Sequence, residues 1–386
     1  MLHHRTVRLP GPLISLSGLL ALCCLWVMVP AGSVACAAEP ARENAVQALR
    51  VKYQGAGSQP ATVEARLMVE AQDGGLLLLA PDGRLLTVPP DRLLEREKIE
   101  QFTPLTKDEL GQRLRQQLGD GFEIVETKHY VLCTSAGRTY GEWCGRLFER
   151  LLGAFQKHWR SRELDLHEPQ VPLAAVVFGS RAEFVEFARK DAGNAAVDSQ
   201  GYYSLMSNQM VLYDLTAGPG TRPARSQADI TRRLAASPFN AATVVHEATH
   251  QIAFNCGMHV RLADNPLWLT EGMAMYFETP DLSSRSGWRT VGRVNQVRMH
   301  RFRDYAKERR PADSLSTLIA GDSRLVDAEQ AEDAYAEAWA LSYWLIRTRR
   351  DEYLAYLAGL AKKTPLVPAS REQRLAEFQA AFGAPP

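Results

Sequence analysis

The chain has 386 residues, with 45 Lys or Arg against 44 Asp or Glu, a formal net charge of +1. So even a balance creates no global field to recruit nucleic acid or an anionic membrane surface, and composition argues against partners of that kind. No glycine-rich phosphate loop, CxxC pair or internal repeat suggests a nucleotide, thiol-redox or solenoid chemistry.

The first element is an export signal. His3, His4, Arg5 and Arg8 form a basic start, Leu13 to Val29 is a largely apolar run, and Ala35-Cys36-Ala37 offers a small-x-small cleavage site. Residues 1–37 therefore read as a signal peptide, leaving about 350 residues in the periplasm, cell envelope or extracellular space. The alternative is a retained N-terminal membrane anchor, since the run is nearly long enough to span. No later stretch is apolar enough to cross a bilayer. Cys133, Cys144 and Cys256 remain after processing. A Cys133–Cys144 disulfide is sterically conceivable in an oxidising compartment, with Cys256 left as a small buried hydrophobe.

Residues 45–98 alternate short strand-like runs with two Asp-Gly turns, Asp73-Gly74 and Asp82-Gly83. This predicts a small antiparallel β-barrel, similar to an SH3-like module, acting as a docking domain or as an appendage packed on the main domain. Residues 99–119 read as a helical connector opened by a capping box, Thr106 to Glu109.

The main domain, 120–386, begins with a strand from Phe122 to Cys133. A long helix follows, with Trp143, Leu147, Leu151, Phe155 and Trp159 on one face. Val171 to Phe178 is a buried strand that turns through Gly179 into a helix with a second capping box, Ser180 and Glu183. Gly201 to Met206 and Gln209 to Leu215 form a hairpin turning at Ser207-Asn208. Residues 217–236 lack apolar periodicity and read as a mobile surface loop. Everything from Asp281 onward reads as helical. The stretch Arg285 to Arg310 carries nine Lys or Arg, read as the solvated face of a helix whose apolar side is Val294, Val297, Phe302 and Tyr305.

The segment between loop and basic stretch carries the chemistry. His246-Glu247-Ala248-Thr249-His250 places two imidazoles four residues apart, one above the other on a helix face. Both can point at one metal ion while Glu247 projects toward an activated water. Ser237 and Pro238 suit the start of this helix and Gly257 its end. A third ligand is needed. The metzincin spacing fails, because Ala253 and Cys256 stand where Gly and His are required, and His259 falls on the turn leaving the helix. Glu271 is the better ligand. It sits on a second helix, with Asn265 as N-cap, Pro266 at its first position and Thr279-Pro280 at its end, beside Trp268 and Met275. A lone carboxylate among bulky apolar groups is costly unless a cation faces it.

The HEATH string, followed 21 positions after its second His by the Glu of Trp268-Leu269-Thr270-Glu271-Gly272-Met273-Ala274, resembles the gluzincin arrangement of zinc peptidases. From about residue 120 the chain also resembles an uncharacterised family of exported bacterial proteins with a peptidase-MA-like domain. Gly201-Tyr202-Tyr203-Ser204, Leu212-Tyr213-Asp214-Leu215-Thr216 and Ala334-Tyr335-Ala336-Glu337-Ala338-Trp339 carry that likeness. The resemblance implies an α+β, zincin-like (gluzincin) domain with a mixed sheet and a mainly helical C-terminal half. It implies one zinc ion held by His246, His250 and Glu271, with Glu247 as general base toward a peptide or protein substrate. It further implies that the edge strand before the metal helix pairs with substrate, so that Tyr202 or Tyr203 lines the cleft. Tyr335 becomes the oxyanion donor, in competition with a packing role beside Trp339 and Tyr343. One departure stands out: Met275 replaces the Asp expected four residues beyond Glu271, so the carboxylate that orients a ligand His is missing or comes from elsewhere. A zinc hydrolase of a non-peptide bond, or a metal-holding binding protein without turnover, shares the same motif.

Overall fold

The computed structural model describes residues 47–55, 59–160, 164–218, 224–282, 284 and 288–383. The expected signal segment 1–37 lies outside them. Two five-stranded sheets and a helical C-terminal half make an α+β chain. Among the described residues no helix is long and apolar enough to cross a membrane.

The first sheet comprises β1 (Ala48–Gln54), β2 (Pro60–Glu70), β3 (Leu76–Leu79), β4 (Leu85–Val88) and β5 (Leu93–Ile99) in the order β4-β3-β2-β1-β5. All pairings are antiparallel, and both Asp-Gly turns fall where expected, with Gly74 and Gly83 at φ 86°. The expected barrel does not close: β4 and β5 are two free edges of an open sheet. The charged row Glu95, Arg96, Glu97 and Lys98 leaves β5 exposed and polar, which discourages closure.

Helix α1 (Lys107–Leu118) starts with the expected capping box at Thr106. It is more than a connector, because Leu110 and Leu114 pack with Val131, Cys133 and Ala174 of the second sheet. That sheet holds β6 (Glu123–Glu126), β7 (Tyr130–Thr134), β8 (Leu173–Phe178), β9 (Gly201–Tyr203) and β10 (Gln209–Tyr213), ordered β6-β7-β8-β10-β9. It is mixed: β7, β8 and β10 run parallel, and β6 and β9 are antiparallel edges. The single strand expected over 122–133 is a hairpin, broken where Thr127 accepts the Tyr130 N–H at its hydroxyl.

Helix α2 (Arg138–Trp159) covers one sheet face. Its Trp143, Leu147, Leu151, Phe155 and Trp159 join Tyr130, Leu132, Ala175, Val177, Met210 and Leu212 in the main core, each large side chain contributing about 1.5–3 kcal/mol. The opposite face carries α1 and α3 (Arg181–Asp191). Ser180 caps α3 at the Glu183 N–H, but Glu183 bonds Ser135 and the Gly179 N–H instead of closing the second box. The period-two alternation of β7 decides the cysteine question: Cys133 faces α1, whereas Cys144 lies in the α2 core on the other face. No disulfide joins them, and all three thiols are free and buried.

The expected loop 217–236 is half helix. Ser226 caps α4 (Gln227–Ala236), which buries Ile230 and Leu234; residues 219–223 lie outside the described set. The metal helix α5 (Pro238–Asn255) and α6 (Leu267–Phe277) then pack together. The remaining helices are α7 (Gln296–Glu308), α8 (Ser314–Ala320), α9 (Ser323–Val326), α10 (Ala331–Thr348), α11 (Arg350–Leu360) and α12 (Arg371–Phe382). The described residues between 281 and 295 are non-helical and interrupt the helical series expected there. The basic stretch is not simply a solvated face. Arg298 is buried on Glu278, Arg301 and Arg309 pair with Asp333, and Arg310 pairs with Glu337, while Val297 is 66% exposed. Of that stretch, residues 285–287 lie outside the described set.

Candidate metal centre

Val244, Val245, Ala248 and Ile252 of α5 join the main core, Glu247, Gln251 and Asn255 bond to the second sheet and its hairpin, and His246 and His250 meet Glu271 of α6. Helix α6 is buried along its whole length. Its start differs from expectation: Pro266 is the N-cap, Asn265 instead donates its side-chain N–H groups to the carbonyls of Val260 and Ala263, and Asp322 from afar accepts the Leu267 N–H at 3.0 Å. Gly272 lets α10 approach: a Cβ there would lie 2.6 Å from the Ala338 carbonyl and closer still to Ser342. The residue after Glu271 must therefore be small for α6 to sit where it does.

His246 Nε2 lies 3.0 Å from Glu271 Oε2 and 3.0 Å from His250 Nε2, and His250 Nε2 is 3.4 Å from Glu271 Oε1. A tetrahedral ion with bonds of ~2 Å holds its ligand atoms ~3.3 Å apart, so the observed spacing matches the edges of such a site. Among the described residues this is the one group of His, Cys, Asp and Glu side chains gathered closely enough to hold a metal.

The proton inventory sharpens the case. His246 Nδ1 lies 2.8 Å from Glu278 Oε1 and its Nε2 3.0 Å from Glu271 Oε2, so an N–H given to Glu278 would leave the Nε2 lone pair for a metal. Burial pushes the Glu271 carboxyl up, but the facing imidazoles of His250 and His246 pull it well below the usual range. Burial also pulls His250 down, against the pull of Glu271, favouring a neutral ring. Two imidazole lone pairs and a carboxylate converging in a buried space repel one another unless a cation lies between them. The donor set fits a divalent ion, with two nitrogens and one oxygen suiting zinc.

Residues 240–367 match the model of a family described as a protein of unknown function, DUF1570. That span runs from α5 into the chain beyond α11 and includes the whole His246, His250 and Glu271 group. No curated protein and no solved structure matches the chain.

Glu278 supplies the carboxylate that Met275 does not. It sits one turn further along, just past the end of α6, and was invisible in sequence because it reads as an ordinary helix-end acid. Burial pushes its carboxyl up, but Arg298 and His246 offset this and hold it at about 2. Arg298 Nη2 donates to Oε1 at 3.2 Å and Asn295 Nδ2 to Oε2 at 2.8 Å. The Arg298 guanidinium also lies over the Tyr335 ring, 5.8 Å from its centroid. Tyr335 is thus buried on α10, joined to the metal group through Arg298, Glu278 and His246.

Glu247 is buried, and its Oε2 accepts the backbone N–H of Tyr203 at 3.0 Å. The expectation from sequence concerned the Tyr203 ring, whereas the contact to Glu247 is made by the Tyr203 main chain. Both candidate cleft rings are fully buried. The Tyr202 hydroxyl donates to Asp191, the Tyr203 hydroxyl donates to Asn208, and the Tyr203 ring stacks on Phe254, so the side chains pack instead of lining an opening.

Proposed function

We propose that the chain is a zinc-dependent hydrolase of gluzincin type, a metallopeptidase acting on exported or cell-envelope peptides. The observation that carries this reading is the buried convergence of His246, His250 and Glu271 with Glu247 on the adjoining turn. Export rests on the N-terminal signal pattern, and the peptide substrate on the resemblance of the metal-site motifs.

His246, His250 and Glu271 would hold the zinc ion, which when bound would supply Lewis acidity and a more acidic water. The chain's own residues do the rest. Glu247 accepts a proton at its carboxylate and passes it to the leaving amine. The Tyr203 N–H fixes which carboxylate oxygen is turned away from the proton transfer. Glu278 holds the His246 ring with its Nε2 toward Glu271, and Arg298 and Asn295 hold Glu278. Tyr335 is assigned as donor to the developing oxyanion, a role that typically contributes about 3 kcal/mol.

Replacing Glu247 by Gln keeps all three metal ligands. The expected result in a mixed-peptide cleavage assay is full zinc content with turnover reduced about 10³-fold. Zinc retention with no cleavage by the wild type moves the chain to a metal-holding binding protein.

A further inference from the structure

The first sheet takes no part in the chemistry above, yet its two Asp-Gly turns sit in different surroundings. Gly74 and Gly83 share a φ of 86°, but a Cβ at Gly74 meets nothing within 4 Å. At Gly83 it would come within 2.9 Å of Asn208 Nδ2 and 3.2 Å of Val171. The Leu85 N–H donates to the Met206 carbonyl at 2.8 Å. Arg261 donates one guanidinium nitrogen to the carbonyls of Gly83 at 2.9 Å and Leu205 at 3.1 Å. An apolar cluster of Ala48, Leu77, Leu79, Leu85 and Val171, with Met206 and Leu262 against it, seals the contact. The second turn of the first sheet therefore rests on the tip of the β9–β10 hairpin.

The inner side of that tip grips the metal helix. Asn208, with φ 58°, accepts at Oδ1 from the Tyr203 hydroxyl at 2.7 Å and from Asn255 Nδ2 at 2.8 Å. Its Nδ2 donates to Asn255 Oδ1 at 3.0 Å, and its carbonyl accepts from Gln251 at 2.9 Å. Gln251 and Asn255 belong to α5, and Tyr203 bonds Glu247 one turn before His250. Strand β9 is three residues long and paired on one side only, so its own ladder holds it weakly.

We propose that the first sheet is a clamp that presses the β9–β10 hairpin onto the metal helix and so fixes the Tyr203 N–H against Glu247. Gly83 and Arg261 are its positioning residues. The functional meaning of the clamp rests on the hydrolase reading, because what it orients is the general base. Its geometry is testable without turnover.

The test uses the purified chain carrying 15N-tyrosine, with the Tyr203 amide resonance identified by its loss in Y203F. E247Q calibrates the shift produced when the charged acceptor is replaced. In G83A and R261M the Tyr203 resonance moves in the direction E247Q moves it, and β9–β10 amides exchange about tenfold faster or more. G74A, which strains an equivalent turn in open space, and R261K, which keeps a donor, leave both readings within about twofold of wild type. Zinc affinity stays within about threefold in all four variants, because no ligand is touched. Hairpin exchange and a Tyr203 resonance in G83A and R261M that match those of G74A would overturn the clamp, as would failure of R261K to restore them. A chain that binds zinc but cleaves nothing would defeat the hydrolase reading while leaving this result standing.

Discussion

Two buried charge clusters in this chain solve the same electrostatic problem in opposite ways. At the C-terminal end, Arg374 pairs with Asp264 at 2.7 Å and Asp322 at 2.9 Å, and Lys363 adds a second cation on Asp264. Every carboxylate there meets a cation from the same chain, and Asp322 additionally caps α6. At the metal centre, among the described residues, Glu271 faces the imidazoles of His246 and His250 and no guanidinium or ammonium group. The first cluster is complete as a structural tie, whereas the second is a group that could hold a metal ion. A buried acid faced by arginine argues for architecture, and a buried acid faced by imidazoles argues for a metal.

The comparison breaks most sharply in stability. Arg374→Met takes the guanidinium from the buried Asp264, which keeps only Lys363, and from the half-buried Asp322, and denaturant unfolding should show a loss of about 3–5 kcal/mol. Glu271→Gln in the metal-free chain removes a carboxylate faced by imidazoles and not by arginine, and its loss of stability should be clearly smaller than that of Arg374→Met. A large loss in both would mean that Glu271 is tied by protein cations after all.

A second, smaller effect probes the ligand shell. Glu278→Gln keeps size and one acceptor but loses the charge opposite the His246 N–H, and competition with a chromogenic chelator should show zinc bound about 10–100-fold more weakly. Unchanged affinity would reduce Glu278 to a partner of Arg298.

The smallest effect is pH-dependent. Burial pushes the Asp264 carboxyl up, but Arg374 and Lys363 hold it below the usual carboxylate range. A depressed folded value stabilises above the unfolded value, near 3.8, and that stability is lost as pH falls through the lower folded value. Asp264→Asn should therefore narrow the stability difference between pH 7 and pH 3, read from unfolding midpoints, and an unchanged difference would assign the acid loss elsewhere.

The sequence showed the metal helix and Glu271 plainly, because a four-residue His spacing and a lone acid in an apolar helix are local patterns. The long α2 stripe and the capping box at Thr106 were legible for the same reason. Features that join distant segments were not. Glu278 and Arg298 are twenty residues apart on different helix ends, so Arg298 looked like one cation among nine. Tyr203 acts through a backbone N–H, which no side-chain pattern encodes. The α4 stripe, Ile230 and Leu234, was too short to stand out beside the Gly, Pro and Arg around it. Closure of a sheet depends on its edges, and the exposed charges of β5 were the missed signal.

The central claim is settled most directly by elemental analysis and zinc titration of the purified chain and of its Glu271→Gln and His250→Ala variants. The account predicts one zinc ion per wild-type chain and its loss or severe weakening in both variants, with each still folded. A folded wild-type chain that takes up no divalent ion, or variants that keep full occupancy at unchanged affinity, would contradict it.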